Sequence, residues 1–217
     1  MQRIELLASL AKGSNSLLDL GCDHAYVLTL AINKYNVKSG IASDISDGPL
    51  KMAKENIIKS GLEDKITLIK SDGFNNINLD FDTCIIAGMG GILIKDILDK
   101  GLNKIKNSKL ILEPNKDSKE VRLFLNKNNF SIIDEYAIYD SNKYYEIIIA
   151  KYGHQELSDF EINYGPVLLK KKPIEFIKFY KEKYNFINNI ISNIKDEFEK
   201  NEKLKLLNDY KIIIGEY

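Results

Sequence analysis

The sequence is poor in cysteine, and this scarcity argues against two kinds of stabilising chemistry. The 217 residues include only Cys22 and Cys84, which form no C-x-x-C pattern and have no ligand-like spacing. A zinc site and a disulfide framework are therefore not expected, and we predict that the protein binds no metal. Both cysteines fall in or beside predicted strands, where this residue behaves as a small buried hydrophobe.

The sequence also lacks net charge and is almost without arginine. Lysine and arginine together number 31, as do aspartate and glutamate, so the overall charge does not indicate a nucleic-acid partner. A local patch such as Lys170–Lys172 could still bind one. Arg3 and Arg122 are the only arginines. Contacts to phosphate would therefore depend mainly on lysines and backbone amides.

No long apolar run is present at the start of the sequence. The first residues, MQRIELLASLAKG, are amphipathic, and their apolar stretch is too short for a signal peptide or a membrane span. We therefore expect a soluble cytoplasmic protein that does not enter a membrane. The length allows one full domain with a substantial core and a smaller appendage.

Strand-like and helix-like patterns alternate as far as about residue 151. Short apolar runs predict strands, and helical spacing of apolar residues follows most of them. The predicted strands are 17–20, 39–44, 66–70, 82–87 and 108–113, followed by a β-hairpin of 131–139 and 143–151. This alternation predicts an α/β fold with a mostly parallel seven-stranded sheet, in which the hairpin forms an antiparallel edge.

Helical patterns alone follow the predicted hairpin. Ser158–Glu161 has the form of a capping box. Apolar residues recur in steps of three and four over 177–198 and again over 204–213, which predicts two helices packed as an antiparallel coiled-coil hairpin. We therefore divide the chain into an α/β domain, 1–152, and an all-α accessory domain, 153–217.

Polar and glycine residues gather where the predicted strands end. In a parallel sheet the carboxyl ends of the strands share one edge, and ligands bind there, near the point where the strand order reverses. The residues in question are Asp23, His24, Asp44, Asp72, Gly88 to Gly91 and Glu113 to Asn115. Their positions predict a single composite site.

The turn after the first strand favours S-adenosylmethionine over a dinucleotide. Asp19-Leu-Gly-Cys-Asp23 resembles the first motif of class I S-adenosylmethionine-dependent methyltransferases, whereas a dinucleotide site requires G-x-G-x-x-G. A carboxylate at Asp23 would repel a pyrophosphate but attract a sulfonium cation. Asp44 could bind both ribose hydroxyls and Asp72 the amine of the cofactor's adenine. Each acid alone could equally be a turn or helix-cap residue.

The end of the fourth strand argues against methylation of an exocyclic amine. Enzymes with that activity commonly carry an Asn/Asp-Pro-Pro-aromatic segment there, whose oxygens accept hydrogen bonds from the amine. The sequence instead has Ala87-Gly-Met-Gly-Gly91, which offers flexible backbone and a possible anion nest but no side-chain acceptor. The alternative interpretation is a glycine-rich turn that allows a helix to pack closely.

Five segments together resemble the TrmK family, the bacterial tRNA (adenine-22-N1)-methyltransferases. They are Gly21–Tyr26, Ala87–Gly91, Glu113–Asn115, Lys143–Glu146 and Gly165–Leu169, and the resemblance extends over nearly the whole chain. Such a resemblance implies a class I methyltransferase with a Rossmann-like sheet and a C-terminal coiled-coil domain. It also implies methyl transfer from S-adenosylmethionine to adenine N1 in the D-arm of tRNA.

The resemblance also implies roles for individual residues. We expect Asp23 to stabilise the charge of the methylated adenine, His24 to orient the base or the cofactor, and Asn115 to hydrogen bond in the base pocket. Tyr26 or Tyr145 could stack on the base. The residues expected to bind the cofactor are Asp19, Gly21, Asp23, Asp44, Ile45, Asp72, Gly73, Gly88 and Met89.

Some positions depart from the family's usual residues, and several alternatives remain. Serine, glutamate and glutamine are common where this chain has Cys22, Asp44 and Glu113. Asp23 could be a helix cap and His24 a packed core residue. The protein could bind cofactor and RNA without catalysis, or methylate a small molecule or a protein, with the coiled coil as a dimerisation arm. We expect a monomer.

Overall fold

The computed structural model describes residues 2–216, within which seven strands form one sheet with helices on both faces. The strands are β1 (Ser16–Leu20), β2 (Ser39–Asp44), β3 (Ile66–Lys70), β4 (Thr83–Met89), β5 (Lys109–Pro114), β6 (Phe130–Asp140) and β7 (Lys143–Tyr152). The helices are α1 (Gln2–Leu10), α2 (Tyr26–Lys34), α3 (Asp47–Lys59), α4 (Gly91–Lys100), α5 (Leu102–Ile105), α6 (Ser118–Lys127), α7 (Asp159–Tyr164), α8 (Pro166–Lys171), α9 (Ile174–Ile190) and α10 (Glu197–Ile214). Residues 1 and 217, the outermost positions of the two predicted domains, lie outside the described part of the chain.

The strand order of the sheet is β3-β2-β1-β4-β5-β7-β6. Strands β1 to β5 pair in parallel, whereas β7 is antiparallel to both β5 and β6. The chain runs outward from β1 to β3 and then returns to β4 on the other side of β1. The strand order therefore reverses between β1 and β4, and a ligand is expected at the carboxyl ends of these two strands.

Both faces of the central strands are buried, which explains their continuous apolar runs. Leu17 belongs to a core on one face that includes residues of α1, α2 and α3, while Leu18 belongs to a core on the other face with residues of α4 and α6. Asp19 follows them within β1 and is only 4% exposed. A buried carboxylate in a central strand needs a specific reason, because burial of a charge is costly.

The predicted α/β fold with its mostly parallel seven-stranded sheet is confirmed, and strand bounds differ from prediction by no more than two residues. The largest difference is at β4, which continues past Ala87 to Met89. Its register with β5 shifts between these residues, where Gly88 has a φ of +77°. A glycine tolerates this left-handed conformation without the steric cost of a side chain. Among the helices of residues 2–216, none is long and apolar enough to cross a membrane.

The C-terminal region contains the predicted helical hairpin. The capping box is present at the start of α7, where the Ser158 hydroxyl accepts from the Glu161 N–H and the Glu161 carboxylate accepts from the Ser158 N–H. Helices α9 and α10 pack in antiparallel fashion, since Lys172 before α9 contacts the Ile212 carbonyl near the end of α10.

The predicted first helix of this hairpin was too long. Helix α9 ends at Ile190, a short 3₁₀ turn follows at Ile191–Asn193, and Phe198, predicted to lie in the apolar contact, belongs to α10 and is 77% exposed. The Asp196 carboxylate accepts from the Glu199 N–H and caps the new helix. This Asp-x-x-Glu spacing signals the start of a helix. The prediction missed it because the apolar residues continue in steps of three and four across this break.

Candidate active site

Two adjoining cavities open at the carboxyl ends of β1, β2 and β4, where the strand order reverses. The larger has a volume of about 540 Å³ and the smaller about 170 Å³. Gly21, Asp44 and Met89 line both cavities, so the two form one continuous cleft. We call them the large cavity and the small cavity.

Every residue predicted to bind the cofactor or act in catalysis lines this cleft. The large cavity is lined by Asp19, Gly21, Asp23, His24, Asp44, Gly88, Met89 and Asn115, and the small cavity by Gly21, Asp44, Ile45, Asp72, Gly73 and Met89. These residues come from the ends of five strands, β1 to β5, that are distant in sequence. The structure therefore brings the predicted set together, while the role of each remains a prediction.

The large cavity also contains two cations that sequence reasoning did not place there. Arg3, from α1, and Lys143, at the start of β7, both line it together with Tyr145. The Arg3 guanidinium lies 4.7 Å from the centre of the Tyr145 ring and the Lys143 ammonium 5.0 Å from it. Lys143 and Tyr145 are neighbours on one face of β7, but no local pattern relates them to Arg3, which lies in α1 at the other end of the domain's sequence.

The turn after β1 requires glycine at its first position. Gly21 has a φ of +76°, and a Cβ there would lie 2.2 Å from the Met89 side chain. The N–H groups of Gly21 and Cys22 both donate to the Ser43 carbonyl at the end of β2. The turn is therefore tied to the neighbouring strand, and its backbone lies directly under Met89.

Asp23 does not cap the helix that follows it. Helix α2 begins after Ala25, and its N-cap position has no side-chain hydrogen bond. The Asp23 side chain is 70% exposed, and its backbone has a φ of +47°. The alternative interpretation of Asp23 as a helix cap is therefore wrong, because the turn places its carboxylate at the cleft instead.

His24 lies at the edge of the cleft and not in the core. Its side chain is 32% exposed, and Nε2 lies 3.5 Å from the Asp23 carboxylate. The ring stacks on Tyr26 with 5.3 Å between the ring centres. Nδ1 is buried and has no hydrogen-bond partner among residues 2–216. The alternative of a packed core histidine is therefore also wrong.

Asp19 is the buried acid at the base of the large cavity. Burial, and then the nearby charges of Asp44 and Asp23, raise the pKa of Asp19 to about 7. Three carboxylates close together in one cleft favour a cationic ligand, which would allow Asp19 to ionise fully. The same cleft would repel a pyrophosphate.

The glycine residues at the end of β4 and the start of α4 have different structural reasons. Gly88 faces open space, since a Cβ there would meet nothing within 4 Å, whereas a Cβ on Gly91 would lie 2.1 Å from the Asp117 carbonyl oxygen. The Gly91 N–H also donates to the Lys116 carbonyl. Close packing therefore accounts for Gly91, as the alternative interpretation proposed, but not for Gly88.

Gly88 is held on both sides by residues at the end of β5 and just after it. Its N–H donates to Glu113 Oε2, and its carbonyl accepts from the Asn115 side-chain amide. The Asn115 backbone N–H donates to the Met89 carbonyl. Because the amide nitrogen of Asn115 is used in this way, its side-chain oxygen is the atom left to accept a hydrogen bond from a ligand.

Glu113 is a fully buried acid beneath this segment. Its Oε2 also accepts from the Arg3 guanidinium at 2.5 Å, while Oε1 has no partner within the described chain. Burial raises the pKa of Glu113, and the Arg3 charge opposes that rise. Arg3 therefore neutralises Glu113 and joins α1 to the strand ends that form the cleft.

The lining of the small cavity has the chemistry of an adenine site. Ile45 and Leu93 line it and are 60% and 52% exposed, which leaves apolar surface for the faces of a flat ring. Asp72 supplies a carboxylate, and the buried Ser43 hydroxyl, also in the lining, has no hydrogen-bond partner among residues 2–216. These residues fit an adenosine, and the acidic large cavity next to them fits the cationic end of S-adenosylmethionine.

The Asp44 carboxylate stands between the two cavities. Its Oδ1 accepts from the Ser46 N–H at 2.9 Å, which fixes the orientation of the carboxylate. A ribose that joined an adenine in the small cavity to a methionine chain in the large one would lie beside this group. Among residues 2–216, no cluster of histidine, cysteine and acidic side chains is arranged to hold a metal ion.

This sheet order, with its acidic cleft at the strand switch point, defines a class I methyltransferase that uses S-adenosylmethionine. A sequence model of one such family, TrmK, tRNA (adenine(22)-N(1))-methyltransferase, matches residues 17–213. The chain belongs to this family.

Similar proteins extend over the whole chain. The tRNA (adenine(22)-N(1))-methyltransferase of Bacillus subtilis is 32% identical over an alignment of 226 positions, which covers 99% of this chain and 95% of that protein. Sp1610 of Streptococcus pneumoniae in complex with S-adenosyl-L-methionine has a TM-score of 0.90 at 29% identity, with 99% of both chains covered. TrmK of M. capricolum in complex with S-adenosyl-homocysteine has a TM-score of 0.88 at 27% identity, with 99% of this chain and 97% of that one covered.

Proposed function

We infer that this protein is an enzyme that transfers a methyl group from S-adenosylmethionine to N1 of adenine 22 in tRNA. The observation that carries this conclusion is the continuous cleft of a small apolar cavity and a large acidic one, in a chain of the TrmK family. The strand-end segment at Ala87–Gly91, which has no side-chain acceptor for a reacting amine, agrees with a ring nitrogen as the methyl acceptor.

The cofactor is proposed to extend along the strand ends. Ile45, Asp72 and Gly73 would hold the adenine in the small cavity, and the Asp44 carboxylate would accept from the ribose hydroxyls. The turn at Gly21, Asp19 and the Gly88–Met89 backbone would surround the methionine portion. When bound, the cofactor supplies a methyl group on a sulfonium sulfur, and its transfer leaves a neutral thioether and a cationic adenine.

Catalysis in this arrangement depends on position and charge, and a base is not required. Adenine N1 is unprotonated at neutral pH, so its lone pair is available once the base is unpaired and has entered the cleft. The exposed Asp23 carboxylate would stabilise the positive charge that develops on the adenine. His24, held between Asp23 and Tyr26, would orient the base in line with the methyl group.

Asn115 is proposed to recognise the adenine itself. Its amide nitrogen donates to the Gly88 carbonyl, so its oxygen can accept from the 6-amino group of the target base. A guanine carries an acceptor at that position and would be disfavoured. Glu113 is proposed as a positioning residue, because it holds the Gly88 N–H from below and does not line the cavity.

We also propose the division into a cofactor-binding domain, 1–152, and a helical accessory domain, 153–217, that contributes to tRNA binding. Buried residues of the hairpin such as Tyr180, Leu207 and Tyr210 pack against one another within the chain. Because the apolar face of the hairpin is buried within one chain, it supports a monomer. A tRNA substrate supports a cytoplasmic location.

Transfer of a labelled methyl group to an unmodified tRNA transcript tests the function. We expect one methyl group per tRNA and a reverse-transcription stop at adenine 22, because 1-methyladenine cannot form a Watson–Crick pair. A transcript with guanine at this position is the matched control and should remain unlabelled. Label in the guanine transcript, or the absence of label in both, would contradict the proposal.

A further inference from the structure

A third cleft lies between the two proposed domains, beside the cofactor site. Its volume is about 580 Å³, and its walls are the segment after β5, the start of β7 and the face of α9. Asn115 and Lys143 line both this cleft and the large cavity. An RNA strand with one nucleotide in the large cavity could therefore continue into this interdomain cleft.

The lysines of the interdomain cleft are available for phosphate. No ion pair within residues 2–216 involves the four lysines in its lining, which are Lys116, Lys119, Lys143 and Lys183. Its acids are less available to oppose them, because Glu146 pairs with Arg122 and Glu182 lies 4.0 Å from Lys178. Asp117 is the remaining carboxylate in the lining.

Several lysines elsewhere in the helical region are already engaged within the chain. Lys171 pairs with Asp134, Lys181 with Glu216, and Lys172 donates to the Ile212 carbonyl. Both arginines are also held by carboxylates, as shown by the Arg3 contact with Glu113 and the Arg122 contacts with two buried glutamates. Lys170, Lys195, Lys203, Lys205 and Lys211 also have no ion pair among residues 2–216, but none of them lines the interdomain cleft.

An aromatic pair gives this cleft a surface for a base. The rings of Tyr144 and Phe179 are stacked, with 3.9 Å between their centres and an angle of 8° between their planes. Tyr144 occupies one face of Phe179, and the Lys183 ammonium lies 4.9 Å from the same ring, which places it at the other face. A nucleobase could replace the flexible ammonium there and leave Lys183 free to contact a phosphate.

We propose that the interdomain cleft binds the nucleotide next to the target adenine, with its base stacked on Phe179 and its phosphates at Lys143 and Lys183. This inference rests on the proposed function, since it assumes that adenine 22 of tRNA enters the large cavity. Unpaired bases that stack on aromatic rings beside a basic groove are typical of single-stranded RNA recognition. The cleft would hold the tRNA segment unpaired on one side of the flipped base.

Two lysines of α9 provide a matched test. Lys183 lies in the interdomain cleft, whereas Lys181, two residues earlier on the same helix, pairs with Glu216 outside it. With S-adenosylhomocysteine present, Lys183→Gln should raise the Kd for tRNA by about three- to tenfold and lower the salt slope by about one unit. Lys181→Gln should change the Kd by less than about twofold.

A second variant tests stacking directly. Phe179→Leu should weaken tRNA binding by about fivefold or more, and a tRNA with an abasic nucleotide beside adenine 22 should bind the wild-type enzyme equally weakly. Combining the two changes should cause no further loss, because both remove the same contact. An unchanged cofactor affinity and melting temperature would verify that the variant is folded.

The outcomes separate the two proposals. If the wild-type enzyme fails to methylate adenine 22, the proposed function fails and the cleft assignment fails with it. Two results would overturn the cleft assignment alone in an enzyme that methylates adenine 22. One is that Lys183→Gln and Lys181→Gln bind tRNA equally well. The other is that Phe179→Leu weakens binding of the abasic tRNA as much as it weakens binding of the intact tRNA. The assignment is supported if Lys183→Gln binds tRNA more weakly than Lys181→Gln and if Phe179→Leu causes no further loss with the abasic tRNA.

Discussion

Two groups of buried polar side chains in this protein differ in whether their atoms have hydrogen-bond partners. Where the sheet meets the C-terminal helices, the Arg122 guanidinium donates to Glu135 and Glu146 at 2.8 and 2.7 Å. The second oxygen of Glu135 accepts from the Val167 and Leu168 N–H groups of α8. At the cofactor site, by contrast, a buried atom in each of two residues that line the cleft, His24 Nδ1 and Ser43 Oγ, has no hydrogen-bond partner within the described residues.

The difference indicates what each region is for. A fully partnered network of buried charges fixes one arrangement of the elements it joins, here α6, β6, β7 and α8, and every member depends on the others. Unpartnered buried groups weaken the free protein, and they are retained where a ligand can supply the missing partner. The junction therefore holds the accessory helices in place, whereas the cleft is incomplete until it is occupied.

The largest effect is expected from breaking the junction. Arg122→Met leaves Glu135 and Glu146 buried without a cation and should lower the free energy of unfolding by about 3–5 kcal/mol. Chemical denaturation of the whole chain would measure this loss. Arg3→Met is the matched change at the cleft and should cost less, because Arg3 is 25% exposed and burial already raises the pKa of its partner Glu113. Equal losses would contradict the distinction between the two regions.

The next largest effect concerns Asp23, where activity and stability should separate. Asp23→Asn keeps a residue that tolerates the left-handed backbone at this position, so the melting temperature should not change. Loss of the charge should reduce kcat by about ten- to a thousandfold if the carboxylate stabilises the cationic adenine. Turnover must be measured with cofactor and tRNA both saturating, since the sulfonium is also cationic. A kcat near that of the wild type would remove Asp23 from the mechanism.

The sequence predicted the cleft far better than the junction, for a physical reason. Apolar periodicity locates strands, and in a parallel sheet the ends of the strands meet, so residues such as Asp23, Asp44 and Asn115 could be grouped without knowing any side-chain position. The pairs Arg3–Glu113 and Arg122–Glu146 join residues 110 and 24 positions apart, and no local pattern marks them. No local pattern shows which lysines are paired either, because their ion pairs depend on how the helices pack.

A pH effect on cofactor binding follows from the raised pKa of Asp19. Since this pKa is about 7 in the free protein, a cationic cofactor that requires the ionised form should bind roughly tenfold more weakly at pH 6 than at pH 8. Binding near pH 6 should also release a proton, which calorimetry in buffers of different ionisation enthalpy would detect. Asp19→Asn is the control, because it should bind weakly with no such pH dependence.

The stability of the free protein should change in the opposite sense with pH. Asp19 binds its proton more tightly in the folded chain than in the unfolded chain, so it opposes folding increasingly as the pH rises from about 4 to about 7. Asp19→Asn should therefore gain stability relative to the wild type over this range. A stability difference that does not depend on pH would contradict the assignment of the raised pKa to Asp19.

The smallest effect, and the closest test of the comparison, comes from two buried serines. The Ser14 hydroxyl donates to the Ala11 carbonyl and lies 2.7 Å from the Thr83 hydroxyl, whereas the Ser43 hydroxyl has no partner among residues 2–216. Ser14→Ala should therefore cost about 1 kcal/mol of stability and leave cofactor affinity unchanged. Ser43→Ala should leave stability within about 0.5 kcal/mol of the wild type, because it removes a buried group that has no partner in the free protein. If the Ser43 hydroxyl completes the adenosine site, the same change should weaken S-adenosylmethionine binding by about three- to tenfold in calorimetry. Should Ser43→Ala instead destabilise the free protein as much as Ser14→Ala while binding the cofactor normally, Ser43 would belong with the structural groups and the cleft would be less incomplete than we infer.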